Sequence, residues 1–177
     1  MLPFKGKVLE WIVDKLAGKF IDFQSPDEFF QSLEEDLSKA EKEVIIFSPY
    51  VKEPGKRDPK YFQVFGKLLN IAEKGVKVKI VIKPGQEKNL TREDKENFKK
   101  GRIEVWARDT HAKAVLIDGK ILYLGSLNVL SYWEKEDIMV KLSGLEWGPG
   151  ILPRLFTSRT MNKLRPPGEL PEDKKII

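Results

Sequence analysis

His111 is the only histidine in the 177-residue chain. Lys113, Asp118, Ser126 and Asn128 follow it within one stretch, HAKAVLIDGKILYLGSLN, at residues 111–128. Imidazole can attack an electrophile or carry a proton near neutral pH. An ammonium, a carboxamide and a hydroxyl are suited to hold the oxygens of a tetrahedral oxyanion such as phosphate. The combination points to phosphoryl chemistry with His111 as the reacting group. A lone histidine is more often the solvated end of a surface hairpin, and it is the company of Lys113, Ser126 and Asn128 that makes a site of it. Hydrolysis by this route also needs a second proton-carrying group, and the chain holds no other histidine.

The elements that must hold these groups read as a β-hairpin. Taken as a two-residue turn, Asp118-Gly119 pairs Ile117 with Lys120 and sets His111 opposite Ser126. Alternation puts His111 and Lys113 on the face of Val115 and Ile117, with Ser126 across from them and Asn128 following in the same parity. The four polar groups are then expected to converge at the open end of an apolar hairpin. Asp118 sits at the turn with the opposite parity, which makes it a structural anchor rather than a direct catalyst.

These residues match a known pattern. His111-x-Lys113, Asp118 five residues after the lysine, and Gly125-Ser126-x-Asn128 resemble the HKD signature of the phospholipase D superfamily. The early strand VIIFSPYV and the order of strands and helices extend the resemblance over residues 25–145. The resemblance implies a metal-independent phosphodiesterase. One histidine attacks phosphorus to form a phosphohistidine, and a second protonates the leaving oxygen and then activates water. Carried onto this chain, His111 is nucleophile or acid/base, Lys113 and Asn128 bind phosphate, Ser126 assists, and Asp118 and Gly125 are structural. A downstream acid that orients the histidine is implied at Glu136, with Asp137 next in line; a strand-start acid in the charged run EKED is an equal reading. Members with one motif per chain work as dimers, and a twofold axis would bring His111 of both subunits into one site.

The rest of the chain alternates strands with helices. That order gives an α/β fold, expected as a three-layer αβα sandwich with a mixed central sheet. Residues 1–24 form an N-terminal segment whose VLEWIVDKLAG is an amphipathic helix with Val8, Ile12 and Leu16 on one face. Residues 25–147 form the HKD domain, in which Ser25-Pro26 opens a helix and Gly75 ends another. Residues 148–177, rich in Pro and Gly, read as an extension with a linker-like tail.

Composition narrows the function classes. With no cysteine, disulfides, cysteine nucleophiles and cysteine-bound zinc are excluded, and a single histidine excludes a His-rich metal site within one chain. No cofactor and no metal are expected. The formal net charge of +5 favours a polyanionic partner. No apolar run is long enough to span a bilayer, so the default expectation is a cytoplasmic protein without stable membrane association. Lys52, Lys56, Arg57 and Lys60 follow the first sheet strand and can track a phosphate backbone, although solvated surface charge is as good a reading for any one of them. Tyr132 and Trp133 can stack on a base; core or dimer interface is the commoner use of such aromatics. The stretch GSLNVLS…EDIMV is similar to HKD domains attached to DNA-processing proteins, which favours DNA over RNA. A nuclease is the first reading. A cardiolipin-type phosphodiesterase and a non-catalytic DNA-binding or dimerisation module are the alternatives.

Overall fold

The computed structural model describes residues 20–23, 25–131, 137–143 and 172–177. Three helices each begin on a side-chain cap. Ser25 is extended and its Oγ accepts from the Glu28 N–H at 3.3 Å, opening α1 (Pro26–Ser38) with Pro26 in its first turn. Asp58 accepts from the Tyr61 N–H at 3.0 Å and opens α2 (Pro59–Glu73). Thr91 and Asp94 exchange side-chain and backbone bonds in a capping box that opens α3 (Arg92–Gly101). The buried residues recur at helical spacing, Phe29, Leu33 and Leu37 on α1 and Tyr61, Val64, Phe65, Leu68 and Ile71 on α2.

The strands are β1 (Phe20–Asp22), β2 (Glu43–Phe47), β3 (Lys77–Ile82), β4 (Glu104–Ala107), β5 (Ala114–Ile117), β6 (Ile121–Gly125), β7 (Met139–Ser143) and β8 (Lys174–Lys175). They form one sheet in the order β1-β7-β6-β5-β2-β3-β4-β8. β2, β3 and β4 run parallel, and the remaining pairings are antiparallel. The α/β class and the mixed sheet expected from the sequence are therefore present. Alternation sorts β2 between the two faces of the sheet. Val44 and Ile46 join the large core with the residues of α1, α2 and α3, whereas Ile45 and Phe47 join Val81, Ala114, Leu122 and Leu142 on the other side. The described helices all pack into the core on the Val44 and Ile46 face, and the amphipathic helix expected at the N-terminus lies outside the described residues. Of the expected helical segment 1–24, the end at Phe20–Asp22 is a strand paired with β7. Among the described residues, no helix is long and apolar enough to cross a membrane.

A buried polar cluster ties α1 to the sheet. The Tyr123 hydroxyl donates to Asp36 at 2.5 Å and lies 3.0 Å from Ser32 Oγ, and Lys141 Nζ reaches Asp36 at 2.6 Å. Burial, reinforced by the Asp36 carboxylate, pushes the Tyr123 phenol well above its ordinary range.

The closing residues correct one expectation. Residues 172–177 are no linker-like tail: β8 pairs with β4, and Ile176 and Ile177 pack against the core. Asp173 grips Arg108 with two bonds of 2.6 Å, both side chains being 1% exposed. The charged run PEDKKII hid this, because the two lysines face solvent from an edge strand while the carboxylate and isoleucines turn inward.

Candidate active site

β2 has one parallel and one antiparallel neighbour, β3 and β5. Sheet order thus reverses beside it, and sites form where strand ends open at such a point. The Ser48 N–H donates to Val81 O, Lys83 N–H to Pro49 O and Arg108 N–H to Ile82 O, all within 3.0 Å, so the carboxyl ends of β2, β3 and β4 lie side by side. The bend after β6 joins them. Ser48, fully buried, accepts from the Leu130 N–H at 3.1 Å and donates to Tyr50 O at 3.1 Å, and the Lys52 N–H donates to Leu130 O at 2.9 Å. His111, Lys113, Ser126 and Asn128 belong to the loops at this end of the sheet.

The hairpin register differs by one residue from the expected one. Ile117 pairs with Ile121 and Ala114 with Leu124. Asp118 and Gly119 are both left-handed, at φ 53° and 67°, and the Lys120 N–H closes the turn on Ile117 O at 2.9 Å. Asp118 explains why a side chain would be held there. Its carboxylate accepts the backbone N–H groups of Glu41, Lys42 and Glu43 at 2.8–2.9 Å, tethering the turn to the start of β2. Burial alone would raise the Asp118 pKa, but these three N–H groups together with Lys120 hold it below the usual carboxylate range.

The shift removes the expected facing of His111 and Ser126. β5 starts only at Ala114, so His111 and Lys113 lie in the loop before it and strand alternation does not govern them. Ser126 instead turns to the start of β7. Its Oγ donates to Asp137 at 2.6 Å and accepts from the Ile138 N–H at 3.0 Å, and its own N–H donates to Ile138 O at 2.9 Å. That approach accounts for Gly125, because a Cβ built there would overlap the Ile138 carbonyl and the Met139 side chain and lie 2.9 Å from Met139 Cα. Gly125→Ala is expected to lower stability by roughly 1–3 kcal/mol, read as a lower urea midpoint with an unchanged slope.

His111 is exposed and its Nε2 lies 3.0 Å from Lys83 Nζ. An ammonium only donates, so this contact calls for Nε2 as the acceptor. Lys83 also lies 3.8 Å from Asp109 and 5.7 Å from the centre of the Tyr50 ring. Lys113 is half-buried and has no side-chain partner among the described residues. Asn128 Oδ1 is buried with no hydrogen-bond partner. A buried acceptor left open costs about 1–3 kcal/mol, and because an amide oxygen only accepts, a phosphate contact by Asn128 would fall to its N–H groups.

The cations expected to track a backbone are engaged elsewhere. Arg57 forms a buried two-pronged pair with Asp94, donates to Asn89 O and lies over the Tyr61 ring. Lys52 pairs with the Asp58 cap at 2.7 Å, Lys56 with Glu53, and Lys60 with Asp27. Glu136, Tyr132 and Trp133 lie outside the described residues. Sequence reasoning missed Lys83 and Tyr50. The available signal was position: Lys83 directly follows an apolar strand, just before Pro84-Gly85, where a parallel strand opens into the site.

The comparisons with known proteins bear on family and fold. The family model described as "Cardiolipin synthase, PLD-like domain" matches residues 33–137, more than half of the chain. No curated protein matches in sequence. Among solved structures, the chain is similar to a phospholipase D family member, Nuc from Salmonella typhimurium, with 15% identity, a TM-score of 0.55, and 72% of this chain and 84% of that one covered. NucT from Helicobacter pylori gives 19% identity, a TM-score of 0.56, and coverage of 71% and 85%. TrmBL2, an archaeal chromatin protein described as having a novel mode of DNA binding, gives 14%, 0.51, and coverage of 90% and 57%. At these identities the structural likeness is one of fold.

Proposed function

The chain belongs to the phospholipase D superfamily, and from that premise we propose that it is a metal-independent phosphodiesterase cleaving DNA at a site shared by two subunits. One observation carries the reading: His111 Nε2 faces a lysine ammonium at 3.0 Å at the open end of the sheet. The Nε2 lone pair attacks phosphorus, the N–P bond forms, and the P–O bond to the leaving group breaks. His111 of the partner subunit protonates the leaving oxygen. It then takes a proton from water, whose oxygen attacks phosphorus as the N–P electron pair returns to Nε2. Lys113 and Asn128 hold the phosphoryl oxygens, the lysine through its ammonium and the half-buried asparagine through its amide N–H groups. Ser126 assists by fixing the bend that carries Asn128, and Glu136 remains the candidate acid for orienting the ring.

DNA is favoured by the company of the site. Tyr50 is 39% exposed beside Lys83, and an aromatic next to a cation suits a base next to its phosphate. The net charge of +5 and the fold shared with a DNA-binding chromatin protein point the same way. The family description favours a lipid phosphodiester as the second reading. Single- and double-stranded DNA and cardiolipin vesicles incubated with the protein in EDTA separate the two. Cleavage of DNA alone is the expected result, and turnover of cardiolipin alone would make the protein a lipid phosphodiesterase. The shared site has its own test. Wild-type chains exchanged with an equal amount of His111→Asn chains should keep about a quarter of full activity, since only wild-type pairs have both histidines. Retention of about half would mean that each subunit works alone.

A further inference from the structure

We infer that Lys83, which lies outside the HKD signature, is a second phosphate-contacting cation of the site: its Nζ rests on His111 Nε2 in the free protein and passes to a phosphoryl oxygen when substrate binds. The inference rests on the proposed reading of His111 as nucleophile. Lys83 Nζ donates along the one imidazole lone pair that can attack. A phosphorus atom approaching Nε2 must arrive along that same direction, at about 3–3.5 Å before reaction. It therefore enters the space held by the ammonium. Substrate must displace Nζ from the ring, and the ammonium is left beside the incoming non-bridging oxygens.

The surroundings allow that displacement. The lysine side chain is 22% exposed and sits on a flexible four-carbon stem. Its other contacts are loose: Asp109 Oδ1 at 3.8 Å, on a side chain 81% exposed, and the Tyr50 ring at 5.7 Å. Lys83 directly follows β3, whereas Lys113 precedes β5. Two cations thus reach the site from different elements and can hold two different oxygens. No bond to Lys83 forms or breaks and it keeps its protons. Its part is to release the lone pair and to offset charge on the phosphoryl group.

The lone histidine makes the test direct, because a full-length chain labelled with nitrogen-15 histidine shows the two ring nitrogens of one imidazole alone. Inorganic phosphate is titrated into wild type, Lys83→Met and Lys83→Arg at about pH 8, above the ordinary imidazole range. In the wild type, the ring should be protonated on Nδ1 and should respond to phosphate. Lys83→Met should weaken phosphate binding about tenfold or more, and Lys83→Arg should hold it within about threefold. Equal affinities in wild type and Lys83→Met, or no response of His111 to phosphate in the wild type, would overturn the inference. Phosphodiester cleavage by wild type beside His111→Asn judges the underlying reading separately. If cleavage depends on His111 while phosphate affinity ignores Lys83, only the role of Lys83 falls.

Discussion

Replacement of His111 by asparagine is expected to lower phosphodiester cleavage by a factor on the order of 10⁴ or more while leaving the fold intact. The size of the effect follows from chain composition. No second histidine exists to take over, and in a shared site the substitution removes nucleophile and general acid together. Residual activity would come only from phosphate binding by Lys113, Asn128 and their neighbours. The small effect on stability follows from burial. His111 is exposed and its side chain makes a single hydrogen bond, so the unfolding free energy should change by less than about 0.5 kcal/mol. Cleavage assayed in EDTA and a urea melt of the same preparation check both halves. Equal cleavage by mutant and wild type would remove His111 from the chemistry.

Asp173→Asn is expected to have the largest effect on stability. Arg108 and Asp173 are each 1% exposed and meet in two charge-assisted bonds. Replacing the carboxylate with a neutral amide removes this counter-charge from a buried guanidinium, and breaking such a pair costs about 3–5 kcal/mol. The strand pairing of β8 with β4 and the packing of Ile176 and Ile177 depend on the same anchor. By contrast, Lys174→Ala should move the unfolding midpoint little, since that side chain is exposed on the edge strand. Urea unfolding of the two variants beside the wild type reads the difference. A cost below about 1 kcal/mol for Asp173→Asn would mean that the buried pair contributes little to holding the edge strand.

Much of the site could be read from residue type and spacing, because the signature needs fixed offsets and those survive errors in geometry. The helix starts at Ser25-Pro26 and Asp58-Pro59 are local chemistry of the same kind. The register of the hairpin was not readable. It depends on Asp118 reaching backbone N–H groups 75 to 77 residues away, a contact that nothing near the turn announces. The ion pairs of Arg57 with Asp94 and of Lys60 with Asp27 have the same origin, since both carboxylates are remote in sequence. Lys83 was hidden by its neighbours, one lysine among several in VKVKIVIK, distinguished only by where the strand stops. The role of PEDKKII was obscured because a charged run reads as solvated, and one inward carboxylate does not change its average.

The open acceptor of Asn128 bears on how this protein can change over generations. A buried oxygen with no partner is a local weakness that an apolar side chain of similar size would remove. Selection for durability alone would drive that position toward leucine, and selection for turnover would hold it as asparagine. A descendant released from its chemistry should lose this residue early and gain robustness in doing so. On the proposed reading of Asn128 as a phosphate-binding residue, asparagine at position 128 would mark a lineage that still performs catalysis.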